Sequence, residues 1–163
     1  MRHAARQHSQ MALSHYLDTV NYLFSRMSLS DVIMDPPPEL EALTAQSPDT
    51  SEFHLHEPYR RAFAQIYARL VATTVALGHP APLHRPLGER PPYAEAAEFM
   101  ADLDVVIASL EHQGSHRLAR GLVGELRRAV EVFGFHLCPL DLRQHSGIHE
   151  ATVAELFALS AGK

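Results

Sequence analysis

At 163 residues the chain is long enough for one hydrophobic core, and a single domain over residues 1–163 is expected. Hydrophobic residues make up 46% and charged residues 20%, with a formal net charge of −5, so the composition is that of a soluble globular protein and nothing steers it toward nucleic acid or anionic membrane. No apolar run approaches the ~20 residues that span a bilayer; the N-terminal MRHAARQHSQMALSHY lacks a signal-peptide core; and Cys138, the single cysteine, excludes an internal disulfide and reads as an inert buried thiol, so a cytoplasmic protein is expected.

The first helix is predicted from Arg2 to Met27, where Met11, His15, Tyr22 and Met27, with Leu13, Leu17, Val20 and Phe24, recur at a spacing near 3.6. Asp35-Pro36-Pro37-Pro38 blocks its continuation. A short helical turn is predicted for Glu39 to Leu43 inside a loop region spanning 30–56. A second helix starts at Glu57-Pro58, where proline wastes no hydrogen bond and the acidic residue suits the positive end of the dipole. Its stripe is Phe63, Ile66, Tyr67, Leu70, Val71, Thr74 and Leu77, and Gly78-His79-Pro80 ends it. A proline-rich loop follows over 78–92. Further helices are predicted from Tyr93 to His112 and from His116 to Phe133, closed by Gly114 and Gly134. Phe135 to Leu140 reads as a short strand. Gly147 to Ala161 reads as a last helix with Val153, Leu156, Phe157 and Leu159 on its buried side. The fold class is therefore mainly α: about five helices plus one short strand.

The polar cluster Asp141-Leu142-Arg143-Gln144-His145-Ser146 follows that strand. Strand side chains alternate between faces. With Leu140 and Leu142 toward surrounding helices, Asp141 and Arg143 face the other way, at the mouth where a parallel α/β barrel presents its active-site groups. Two readings stand for Arg143: a structural ion pair with Asp141, or a planar fork for a phosphate or carboxylate. Ser146 reads as an N-cap of the last helix. The 12 histidines include the pairs His112/His116 and His145/His149 and the His54-x-His56 alternation, but no partner sits in a consistent helical frame, so they are expected to be scattered on the surface with no metal site. Glu95, Glu98, Asp102 and Asp104 read as a solvated acidic helix face. Arg117, Arg120, Arg127 and Arg128 line a helix and are expected to complement acidic neighbours or a further domain.

The segment Phe133 to Glu150, FGFHLCPLDLRQHSGIHE, resembles the strand-and-arginine segment of phosphoenolpyruvate carboxylases, with its FG-x-x-L-x-x-LD-[IL]-RQ-x-S-x-x-H-E pattern. Glu57-Pro58-Tyr59-Arg60-Arg61, followed by Ile66 and Ala68-Arg69-Leu70, is similar to the EPYR helix start of the same family. Arg2-His3-Ala4, leading into a long helix that ends near Ser28-Leu29-Ser30, is a weaker third likeness. His145 departs from the pattern, so no role is carried to it.

The resemblance implies a piece of the α/β-barrel-type fold of a much longer enzyme. That enzyme converts phosphoenolpyruvate and bicarbonate to oxaloacetate and phosphate with a divalent cation, magnesium or manganese, and is a homo-oligomer. The resemblance also implies that Arg143 holds the substrate phosphate, supported by Asp141 and Gln144. The family's catalytic histidine, metal-binding carboxylates and glycine-rich loops belong to other segments, so residues 1–163 are expected to be inactive alone, with no catalytic residue and no bound metal of their own. Besides the substrates, the expected partner is the remainder of the carboxylase chain. Two alternatives from other classes are a stand-alone helical interaction module and a metal- or small-ligand-binding helical domain.

Overall fold

A computed structural model of the chain describes residues 2–80, 88–137, 150, 152–155 and 157–158. Among these the architecture is helical, with no strand. Helices α1 (Arg2–Arg26), α2 (Pro38–Ala45), α3 (Pro58–Ala76), α4 (Ala96–His112), α5 (His116–Leu118) and α6 (Gly124–Phe133) follow in order. A single 3-10 turn, Glu52–His54, precedes α3, and a π-helical turn, Ala119–Val123, joins α5 to α6. No helix among the described residues is long and apolar enough to cross a membrane.

Helix α3 is the axis of the domain. Its first three turns are buried almost all round, through Tyr59, Phe63, Ile66 and Leu70 with the small Ala62, Ala64 and Ala68 between them. Such a helix cannot face solvent and must be sheathed by others. Helix α1 packs along it, α2 crosses it, and α4 links it to α6 and the π turn. Thr73 and Thr74, buried near its end, satisfy their hydroxyls on the carbonyls of Arg69 and Leu70 at 2.8 Å each. The core joins Leu13, Tyr16, Val20, Phe63, Phe99 and Leu103, all between 0% and 1% exposed.

The predicted helices form, with changes of edge and face. The buried stripe of α1 is Leu13, Tyr16, Leu17, Val20, Leu23 and Phe24, with Met27 just beyond its end. Met11, His15 and Tyr22 lie outside it. They share the 3.6 period but form a second stripe on the solvent side, and period alone does not tell two parallel stripes apart. Helix α4 starts at Ala96 rather than Tyr93. Residues 91–92 are prolines outside any helix, and the Tyr93 N–H donates to Thr73 Oγ1 at 2.8 Å instead of entering one. The span 116–133 is not one uniform helix, because Gly121 leaves helical geometry (φ −75°, ψ −133°) and opens the π turn. Leu77 is exposed just beyond the end of α3.

The predicted strand fails over its described residues. The His136 N–H bonds back to the Phe133 carbonyl at 3.1 Å, closing a tight turn, and Leu137 takes a positive φ of 61°, far from extended geometry. Phe135 instead turns inward and stacks on Phe99 with centroids 6.5 Å apart. Residues 138–140, including Cys138, lie outside the described residues. Residues 150, 152–155 and 157–158 are helical as predicted, but Val153 and Phe157 are exposed rather than buried.

Candidate functional site

Asp141, Arg143 and Gln144, with His145 and Ser146, lie outside the described residues. The structure does show the root from which they depart. Gly134 ends α6 with φ +53°, a conformation an L side chain resists, and its N–H bonds to the Val130 carbonyl at 2.8 Å. The Tyr16 hydroxyl of α1 reaches the same point, donating to the Gly134 carbonyl at 2.8 Å with the Ala129 carbonyl at 3.2 Å. Burial pushes the Tyr16 phenol up to about 12, so it stays a neutral donor. Phe135 stacks on Phe99 just after this point, so the chain is anchored on the core at 134–135.

The Glu57–Arg61 motif is built into the core. Pro58 and Tyr59 are buried, and the Tyr59 hydroxyl meets Ser109 Oγ of α4 at 2.8 Å. Burial raises the Tyr59 phenol, and the Ser109 hydroxyl partly offsets the effect. Arg60 Nε lies 2.9 Å from Glu57 Oε2, and its guanidinium lies over the Phe24 ring at 5.7 Å. Phe24 in turn meets the His54 ring edge-on at 5.6 Å, and His54 Nδ1 is 2.6 Å from Asp49 Oδ2. This motif clamps α1, α3, α4 and the 3-10 turn together. Its chemistry is that of a joint, with the Arg60 guanidinium and Glu57 carboxylate in ion-pair contact but not aligned for a hydrogen bond between Nε and Oε2.

A second charged hub was not apparent from sequence. Arg69 of α3 donates to Glu98 Oε2 at 2.6 Å and to Asp102 Oδ2 at 3.2 Å, and stacks over the Tyr93 ring at 3.9 Å. The Tyr93 hydroxyl donates to the same Asp102 oxygen at 2.7 Å. Burial raises the Asp102 carboxyl above the ordinary carboxylate range, with Tyr93 and Arg69 pulling the other way. Burial, with Asp102 beside it, holds the Tyr93 phenol well above its ordinary value. The predicted solvated acidic face is therefore divided. Asp102 turns inward to Arg69, while Glu98 meets Arg69 from an exposed position and Asp104 pairs with Arg127 at 2.9 Å. The signal was present as an arginine between buried Ala68 and Leu70, with two carboxylates at i, i+4 on the facing helix.

The histidines are not all on the surface. His79 is 6% exposed, and its Nε2 lies 3.1 Å from Ser9 Oγ, where α1 begins to pack on the end of α3. Burial lowers its pKa, helped by the Arg6 charge. Arg6 itself donates to the Gly78 carbonyl. Among the described residues no group of three or more His, Cys, Asp or Glu side chains is placed to hold a metal ion.

The described fold is helical, and its buried polar side chains meet one another where the helices pack, as Tyr59 meets Ser109 and Arg69 meets Asp102. The family model for phosphoenolpyruvate carboxylase matches residues 1–162. The chain belongs to the phosphoenolpyruvate carboxylase family. It is 45% identical over 157 residues to a phosphoenolpyruvate carboxylase of Nitrosomonas europaea, covering 96% of this chain and 17% of that protein. It is 49% identical over 156 residues to that of Rhodopseudomonas palustris strain BisA53, with the same coverage. A third relative, from Aromatoleum aromaticum, is 51% identical over 146 residues, covering 90% of this chain and 16% of its own length. The chain spans about one-sixth of the length of the curated relatives it matches.

Proposed function

We propose that residues 1–163 work as an internal segment of a carboxylase that converts phosphoenolpyruvate and bicarbonate to oxaloacetate and inorganic phosphate in the cytoplasm, in a homo-oligomeric enzyme. The observation that carries this reading is the match along residues 1–162 to a family whose members named above are some six times longer. In that reaction bicarbonate attacks the phosphoryl group, giving carboxyphosphate and the enolate of pyruvate, and the enolate then captures the carbon dioxide released from carboxyphosphate. A bound magnesium or manganese ion would supply charge neutralisation of the phosphoryl oxygens. Its ligands are assigned to other segments of the longer enzyme.

Arg143 is assigned the phosphate of the substrate. A guanidinium offers two parallel N–H donors to two phosphoryl oxygens and keeps its charge at every working pH. Asp141 is assigned the orientation of that guanidinium, and Gln144 a supporting polar contact. The helical domain serves as the mount: Tyr16 and Phe99 hold the root at Gly134 and Phe135. The test is Arg143→Ala in the full-length carboxylase. It should lower kcat/KM by about 2–4 kcal/mol, as for a charged contact to a bound anion. Arg143→Lys should restore only part, because a point charge does not reproduce the planar fork. Normal kinetics with lowered stability would mean that Arg143 is only half of an ion pair with Asp141. Residues 1–163 alone should give background rates in a coupled oxaloacetate assay.

A further inference from the structure

A groove of about 510 Å³ runs between the end of α1 and the α5–π segment. Its floor is apolar and buried: Leu23, Met27 and Val123 are between 1% and 5% exposed. Its walls are apolar and open, with Tyr22 at 52%, Leu118 at 44% and Leu122 at 36%. Arg26 and Arg117 stand among its lining residues. Arg26 lies over the Tyr22 ring at 5.4 Å, and neither it nor Arg117 has an ion pair among the described residues. The apolar surface continues past Leu29 into the loop carrying Val32 (79% exposed) and Ile33 (90%). The Asp31 N–H ties that loop to the His56 carbonyl at 3.0 Å, beside the exposed Phe53 and Leu55. A run of open apolar surface in hydrogen-bonded loops, bordered by unmatched cations, marks an interface rather than a solvent face.

We infer that this groove seats an amphipathic segment of the same carboxylase polypeptide, from outside residues 1–163, apolar on one side and carrying carboxylates that meet Arg26 and Arg117. The inference rests on the reading of the chain as part of a longer enzyme. That reading supplies the occupant, since about five-sixths of each relative named above lies outside the matched region. Charge argues against a second copy. A two-fold contact sets a patch against itself, and the groove lining offers two arginines but no carboxylate to answer them.

The experiment uses a full-length carboxylase in which this chain replaces the matching segment of the Nitrosomonas europaea enzyme. Hydroxyl-radical footprinting reads the reactivity of Tyr22, Leu118 and Leu122 in the folded enzyme against the same protein unfolded. An open groove at the exposures above gives roughly twofold protection, and an occupied one should give roughly tenfold or more, as for a desolvated interface core. Arg117→Glu should lower the melting temperature of the full-length enzyme, and Arg117→Lys should largely keep it. Twofold protection in a folded enzyme overturns the inference, whether or not the enzyme turns over. So does a Leu118→Asp/Leu122→Asp enzyme that stays folded but loses subunits in sedimentation, because the occupant is then a second copy. Tenfold protection without turnover supports the groove and counts against the catalytic reading, so the two fail separately.

Discussion

Removing the guanidinium of Arg69 while keeping much of its bulk, as in Arg69→Met, tests whether the hub at α3 and α4 stabilises the domain. Asp102 would keep the Tyr93 hydroxyl at 2.7 Å but lose its cation at 3.2 Å. Both side chains are 18% exposed, so the pair is neither fully buried nor freely solvated. An uncompensated carboxylate at that depth costs about 1.5–3 kcal/mol. The lost stacking on Tyr93 adds about 0.5–1 kcal/mol. Glu98 is 45% exposed and adds little. A total of about 2–4 kcal/mol is expected at pH 7. Asp102→Asn leaves Arg69 with Glu98 and should cost about 1 kcal/mol. The double variant no longer strands a charge, so it should cost at least about 1 kcal/mol less than the two singles together. The chain has no tryptophan, so urea unfolding is followed by circular dichroism. A pH series adds a sign. In Arg69→Met the Asp102 carboxyl is raised further above its unfolded value. The folded state then takes up the proton more readily, and the relative stability present below the unfolded pKa is lost as pH rises through the folded one. The deficit should therefore be larger at pH 7 than at pH 4. An additive cycle with a pH-independent deficit would refute the coupling.

The other predictions concern single contacts. Tyr16→Phe removes the donor to Gly134 and Ala129 and should cost about 1–2 kcal/mol of unfolding free energy, with local loss of hydrogen-exchange protection at 134–137. Gly124→Ala would gain about 1 kcal/mol of helix propensity. However, its new Cβ would sit 2.7 Å from the Ala119 carbonyl oxygen, a backbone atom with little room to move, so a net lower melting temperature is expected. His79 is held neutral by burial and Arg6. Its folded pKa lies below the unfolded one, so its stabilisation is complete above the unfolded value of about 6.5 and is lost as pH falls through the folded value. His79→Gln should flatten the stability profile below pH ~6.5. An unchanged slope would exclude His79 as its source.

Helix existence was legible because amphipathic spacing is a direct consequence of one buried face. The long α1 and α3 carry that signal over many turns, and their bounds agree with it to within a residue or two. What the spacing missed depended on distant partners. Tyr93 is kept out of α4 by Thr73, twenty residues earlier. Asp102 is drawn inward by Arg69, thirty-three positions away. The apolar run after Gly134 has the composition of a buried strand, and a short run of that kind is ambiguous until something pairs with it. Here Phe135 finds Phe99 and the backbone turns. The Glu57–Arg61 motif was legible as a family signature, but its role as a joint was not, since Ser109, Phe24 and Thr44 lie far away in the chain.

The Tyr16 hydroxyl and the Gly134 carbonyl that accepts from it are separated by 118 residues. A ribosome adding ~5–20 residues per second needs about 6–24 s to make the second after the first. Helix α1 can dock on α3 early in that interval, yet its tyrosine waits for the end of α6 before its hydroxyl is satisfied and its side of the core is sealed. Of the described helices, the earliest made is thus among the last to be locked. An arrest of translation before residue 134 would leave the apolar stripe of α1 half covered and available to a holding chaperone, and completion of α6 is the event that would release it.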